Sequence, residues 1–89
     1  ATLTLGFGGV ATELLADTVT LVCPVTAQEV AAALRRLRLW PLLDGYRGKP
    51  AADAGAVVAA AMTVQAMFAD PRLQEVEINP LMVRATGAV

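Results

Sequence analysis

The sequence predicts an α+β domain in which a mostly antiparallel sheet carries two helices packed on one face. Three observations lead there. Leu3, Leu5 and Phe7 alternate with Thr2 and Thr4, the period of a strand with one buried face. Residues 26–37 and 53–68 carry apolar positions at helical spacing. Strand-like runs then return in "LQEVEI" and "LMVRA". Strands, then helices, then strands describe a helix layer on a sheet rather than an alternating parallel unit.

Taken in order, "TLTLGF" is the first strand, and Gly6, Gly8 and Gly9 break it. "VATELL" and "TVTLVC" read as strands on either side of Ala16 and Asp17, so residues 2–23 form an antiparallel meander. In "PVTAQEVAAALRRLRLW", Thr26 and Glu29 have capping-box spacing. Val30, Ala33, Leu34 and Leu37 recur along one helical face behind that cap. Arg35, Arg36 and Arg38 fall near the C-terminal end, where positive charge suits the helix dipole.

"PLLDGYRGKP" holds two glycines between bounding prolines and reads as a loop, with one helical turn at Trp40 to Leu43. Trp40 is expected to plug the core at a helix end rather than stack on a ligand. Asp53 is a fitting N-cap for a second helix reaching about Phe68, with Val57, Ala61, Val64 and Phe68 along one face. The other side of that helix is mostly alanine, which suggests that it too is covered. The closing strands "LQEVEI" and "LMVRA" are expected to join near Asn79 and Pro80.

Composition narrows the function classes. With 89 residues, 56% of them hydrophobic and 17% charged, and a net charge of −1, the chain reads as one small globular domain. It offers no basic patch for nucleic acid. The apolar run from Ala54 to Ala69 is interrupted by Thr63 and Gln65 and is shorter than the ~20 apolar residues of a membrane span. A single cysteine, Cys23, allows no internal disulfide. It is expected to be a small core residue in a reducing, cytoplasmic setting. Both ends of the sequence look cut, since "ATLTL" is already strand-like and "TGAV" stops where another strand would begin.

The chemically suggestive stretch is "EVEINPLMV". On a strand, Glu77 and Asn79 point to the same face, while Val76 and Ile78 point to the other and are expected to face the helices. A carboxylate and an amide oxygen on the open face make a hard half-site suited to Mg2+. The competing reading is a plain turn, with Asn79 bonding its own backbone, Pro80 fixing φ and Glu77 solvated.

Three ordered motifs, "GFGGVATELLADTVTLVCP", "LWPLLDGYRGKPAAD" and "EVEINPLMV", resemble the C-terminal part of the ATP-grasp domain of acyl-CoA synthetases that form a nucleoside diphosphate, notably ADP-forming acetyl-CoA synthetases. The last motif is similar also to the succinyl-CoA synthetase beta subunit. The resemblance covers nearly the whole chain and implies a partial ATP-grasp subdomain over residues 1–89, truncated at both ends. It implies Mg2+ held by Glu77 and Asn79, with ATP or ADP as the nucleotide. A further aspartate expected shortly after Val89 would complete the metal site. It further implies a phosphoryl contact at Gly8 and Gly9 and an acidic site position at Glu13. Their alternatives are a glycine-permitted turn and a strand-face carboxylate. Arg47, between glycines in "GYRG", is implied as an anion contact, or else pairs with Asp44 or Asp53 at the surface. Lys49 is read as solvated. The family often has an arginine where this chain has Leu21, so that charged contact is not carried over.

The implied function is the Mg-phosphate half of the nucleotide site of an ADP-forming acyl-CoA synthetase, an acid-CoA ligase. CoA and the acyl substrate would be bound by missing domains, and the fragment would be inactive alone. Enzymes of this kind pass a phosphoryl group through a histidine, and this chain has none. Two alternatives stay open: a regulatory module of a protein lysine acetyltransferase, and a non-catalytic α+β interaction domain. Self-association of the fragment is expected, through an edge strand or the alanine-rich helix.

Overall fold

The computed structural model describes residues 2–7, 17–45, 48, 50–70, 72, 75, 76, 78 and 81–89. Two strands, β1 (Thr2–Gly6) and β2 (Thr18–Val22), pair antiparallel. Their register sets Leu3 against Leu21 and Leu5 against Val19. These four side chains share the half-buried face, while the threonines take the exposed one. On that outer face the Thr4 and Thr20 hydroxyls hydrogen bond at 2.9 Å. The stretch "VATELL", expected to be a strand, lies outside the described residues.

Helix α1 (Ala27–Arg35) begins at the expected capping box. The Glu29 N–H donates to the Thr26 hydroxyl and the Thr26 N–H donates to the Glu29 carboxylate, both at 3.1 Å. A single turn, α2 (Trp40–Asp44), starts with Trp40 half-buried and Pro41 in its first turn, where a missing N–H costs nothing. Helix α3 (Ala54–Met67) has Asp53 as N-cap and Phe68 as C-cap.

The core lies between one face of the sheet and the two longer helices. Val30, fully buried, packs with Val25 and Ala61, and around these gather Leu3, Leu5, Leu21, Val58 and Met62. Burying a valine side chain fully is worth about 1.5–3 kcal/mol, so Val30 is a principal anchor of α1. This is the expected α+β layer, with helices on one face of an antiparallel pair.

Three expectations are corrected. The inner face of α3 centres on Ala61, as expected, but the neighbours packed with it are Val58 and Met62, with Gln65 beside them, rather than Val57, Val64 and Phe68. Gln65 turns inward because it clamps the backbone of Val25: its Oε1 accepts from the Val25 N–H at 2.7 Å and its Nε2 donates to the Val25 carbonyl at 3.0 Å. Cys23 is half-buried rather than a core residue. Finally, "LMVRA" is not a full strand, and Glu75, Val76 and Ile78 carry no strand assignment.

The last of these has a clear cause. Residues 82–84 turn back into a short hairpin with residues 87–89, bridged between Val83 and Ala88. The N–H groups of Met82 and Val89 each donate to the other's carbonyl at 2.8 Å, and the Arg84 N–H donates to the Gly87 carbonyl at 3.0 Å. Gly87 makes the turn at φ 78°, a left-handed conformation that favours glycine.

Candidate functional site

The site residues suggested by sequence, Gly8, Gly9, Glu13, Arg47, Glu77 and Asn79, all lie outside the described residues, as does Lys49. Residues that bracket them along the chain are described.

The glycine-rich segment and Glu13 belong to the 8–16 connection between β1 and β2. Its two ends are pinned by the Phe7 N–H, which donates to the Asp17 carbonyl at 3.2 Å. Gly6 approaches the partner strand so closely that an added Cβ would meet Thr18 Cγ2 at 2.8 Å and the Asp17 carbonyl oxygen at 3.2 Å. Asp17 is itself buried, 5% exposed. Its Oδ1 accepts from the Arg38 N–H at 2.7 Å and its Oδ2 from the Leu39 N–H at 3.0 Å. A carboxylate at the foot of the connection therefore holds the junction of α1 and α2. The sequence gives no local sign of this, because the partners stand 21 and 22 residues away.

Arg47 belongs to the 44–51 loop, which the Ala52 N–H closes by donating to the Leu43 carbonyl at 2.7 Å. Gly45 (φ 97°) and Gly48 (φ 76°), on either side of Tyr46 and Arg47 in the sequence, take left-handed conformations. Beside the loop, Arg38, Leu39, Pro41 and Leu42 line an open groove of about 280 Å³.

Asp53 stands next to the loop's closing bond. Its Oδ1 accepts from the Ala56 N–H at 3.0 Å, capping α3, and its Oδ2 accepts from the Gly87 N–H at 2.7 Å. Its own N–H donates to the Arg84 carbonyl at 2.7 Å. The Gly87 N–H first, and the Ala56 N–H second, hold its carboxyl below the ordinary carboxylate value. The cap was legible in the sequence; the reach to Gly87 was not.

At the third motif, Val76 is half-buried but Ile78 is 53% exposed. The expectation that both face the helices fails at Ile78; among the described residues of this segment no strand pairing imposes simple alternation. The face taken by Glu77 and Asn79 therefore does not follow from alternation. Among the described residues no three His, Cys, Asp or Glu side chains gather as a metal site. Leu21, at the position where an arginine was absent, packs into the core.

Among the described residues, no helix is long and apolar enough to cross a membrane. A pair of charges sits at the surface beyond α3, where Arg72 and Asp70 bond at 2.7 Å. The Arg72 guanidinium lowers the Asp70 pKa and Asp70 raises that of Arg72. With Arg72 86% exposed, this pair contributes little to stability.

A family model described as an ATP-grasp domain matches residues 1–89. The chain is 34% identical over 83 residues to trans-feruloyl-CoA synthase FCS1 of an unknown prokaryotic organism, covering 92% of this chain and 12% of that protein. It is 29% identical over 84 residues to the beta subunit of ADP-forming acetate–CoA ligase II of Pyrococcus furiosus, covering 92% of this chain and 36% of the subunit. The solved dinucleotide-forming acetyl-coenzyme A synthetase 1 of Ca. Korarchaeum cryptofilum, in complex with coenzyme A and Mg-AMPPCP, superposes with a TM-score of 0.85 at 26% identity, covering 98% of this chain and 41% of that one. Its apo form gives a TM-score of 0.88.

Proposed function

We propose that this chain, which belongs to the ATP-grasp domain family, supplies the Mg-phosphate half of the nucleotide site of an ADP-forming acyl-CoA synthetase. The observation that supports this most directly is that two proteins named for acyl-CoA formation, a feruloyl-CoA synthase and an acetate–CoA ligase subunit, match along 92% of the chain. Because the chain spans only 12% and 36% of those relatives, the complete activity belongs to a longer protein in this reading.

Glu77 and Asn79 would hold Mg2+, whose preference for hard oxygen donors a carboxylate and an amide oxygen fit. When bound, the ion offsets phosphate charge as phosphoryl transfer proceeds. Arg47 binds a phosphate through its guanidinium fork. Gly8 and Gly9 let backbone N–H groups approach the same phosphates, and Glu13 adds a carboxylate at the edge of the site. CoA and the acyl acid bind in other parts of the parent protein, which is cytoplasmic. The Korarchaeum enzyme is described with a phosphohistidine segment pointing towards its nucleotide binding site. This chain has no histidine, so the phosphoryl carrier also lies elsewhere, and the isolated chain does not turn over.

The test is Asn79→Ala in the full-length protein, read by both rate and melting temperature. Acyl-CoA synthesis is expected to fall on the order of 100-fold, the scale of losing one charge-stabilising group from a preorganised site. Added magnesium should restore part of it, with melting unchanged. An active enzyme destabilised by about 1 kcal/mol, the worth of one backbone hydrogen bond, would instead make Asn79 a turn residue.

A further inference from the structure

We infer that Asp53 is a positioning residue that fixes the stem of the Arg47 loop to the hairpin following Asn79. The inference rests on the proposed nucleotide site, since it concerns how two parts of that site are held in relation to each other.

The reasoning starts from what a helix cap requires. One side-chain oxygen suffices at an N-cap, and serine, threonine or asparagine serves as well as aspartate. Asp53 uses one carboxylate oxygen in that way, on the Ala56 N–H. Its second oxygen reaches 34 residues along the chain to the Gly87 N–H at 2.7 Å. The Asp53 N–H meets the same hairpin through the Arg84 carbonyl. The preceding residue, Ala52, closes the loop through the Leu43 carbonyl. Two adjacent residues thus tie the loop stem, the start of α3 and the hairpin into one node.

In chain order Arg47 precedes the node at Ala52 and Asp53, and Glu77 and Asn79 precede its other strand at Arg84 and Gly87. Groups that act together on one polyphosphate lose much of their effect when displaced by about 1 Å. The carboxylate is the part of the node that a substitution can remove while leaving every backbone donor and acceptor in place. An amide at position 53 has one acceptor oxygen, so it can serve Ala56 or Gly87 but not both. A serine hydroxyl can cap α3 and is too short to reach Gly87.

The experiment compares Asp53→Asn and Asp53→Ser with wild type in the full-length protein, with Asn79→Ala as the reference for the nucleotide site. Affinity for Mg·AMPPCP is measured by calorimetry, KM for CoA by initial rates, and protection of the Ala56 and Gly87 amides by hydrogen exchange. Both Asp53 variants should weaken Mg·AMPPCP binding on the order of tenfold, the usual scale for removing a group that orients a ligand-binding one. KM for CoA should hold. In the serine variant the Gly87 amide should exchange faster while Ala56 stays protected. Unchanged nucleotide affinity in both Asp53 variants, alongside a loss in Asn79→Ala, overturns the role of Asp53 and leaves the site standing. Equal losses for nucleotide and CoA overturn it too, because they indicate general loosening. Intact nucleotide binding in Asn79→Ala brings down the site reading and this inference with it.

Discussion

Replacing Asp17 by asparagine keeps the size of the side chain and removes one acceptor from a buried junction. In the native chain both carboxylate oxygens are used, Oδ1 by the Arg38 N–H at 2.7 Å and Oδ2 by the Leu39 N–H at 3.0 Å. With Asp17 only 5% exposed, water cannot readily take the place of either oxygen. The amide offers one carbonyl oxygen and turns an NH2 towards the other N–H, donor against donor. Hydrogen bonds to a charged acceptor are worth about 1.5–3 kcal/mol net, and a stranded buried donor costs about 1–3 kcal/mol. Against this, a neutral amide is less costly to dehydrate than a carboxylate. The balance is a loss of about 2 kcal/mol for Asp17→Asn and about twice that for Asp17→Ala, which strands both donors. For a domain of this size, 2 kcal/mol corresponds to roughly 10 °C in melting temperature. Urea unfolding of the purified chain should show a lower midpoint at unchanged slope. If Asp17→Asn unfolds within about 0.5 kcal/mol of wild type, the two bonds do not hold the α1–α2 junction and the reasoning fails.

Gln65→Leu should cost about 2 kcal/mol, because it strands the part-buried N–H and carbonyl of Val25 that the amide now serves; a midpoint equal to wild type would count against the clamp. Acid should loosen the Asp53 node. The Gly87 and Ala56 N–H groups lower its folded pKa, so its contribution is complete above the ordinary value of 3.8 and disappears as pH falls through the lowered folded value. Hydrogen exchange at Gly87, corrected for its intrinsic pH dependence, should rise over that range in wild type and stay flat in Asp53→Asn.

What the sequence made legible was local. The capping box of Thr26 and Glu29, the Asp53 cap, the turn at Trp40 and the end of α3 at Phe68 are each written within a few neighbouring residues, and the structure has all of them. The α+β layer followed from the order of those elements. Long-range choices were not legible. An alanine-rich helix is apolar on every side, so periodicity could not tell Val58 and Met62 from Val57 and Val64, and Gln65 read as an interruption rather than an inward clamp. Asp17 looked like a turn residue because its partners come from another part of the chain. The C-terminal strands were read from strand-like runs joined near Asn79 and Pro80, and such runs cannot reveal that residues 82–84 pair forward with 87–89. Of the site, the sequence supplied the residue types, while the structure describes the anchors: the 8–16 connection pinned at Phe7 and Asp17, and the 44–51 loop closed at Leu43 and Ala52.

That last closure separates the length of the loop from the stability of the helix after it. With the Leu43 carbonyl and the Ala52 N–H already joined at 2.7 Å, residues added inside the loop extend a closed circuit and leave the start of α3 in place. Closing a flexible loop of twice the length costs only about 0.6 kcal/mol more. Insertions at Gly48 or Pro50 are therefore thermodynamically inexpensive, whereas a deletion reaching Leu43 or Ala52 removes the clasp itself. The segment between Leu43 and Ala52 can therefore be lengthened without rebuilding α3 or its packing.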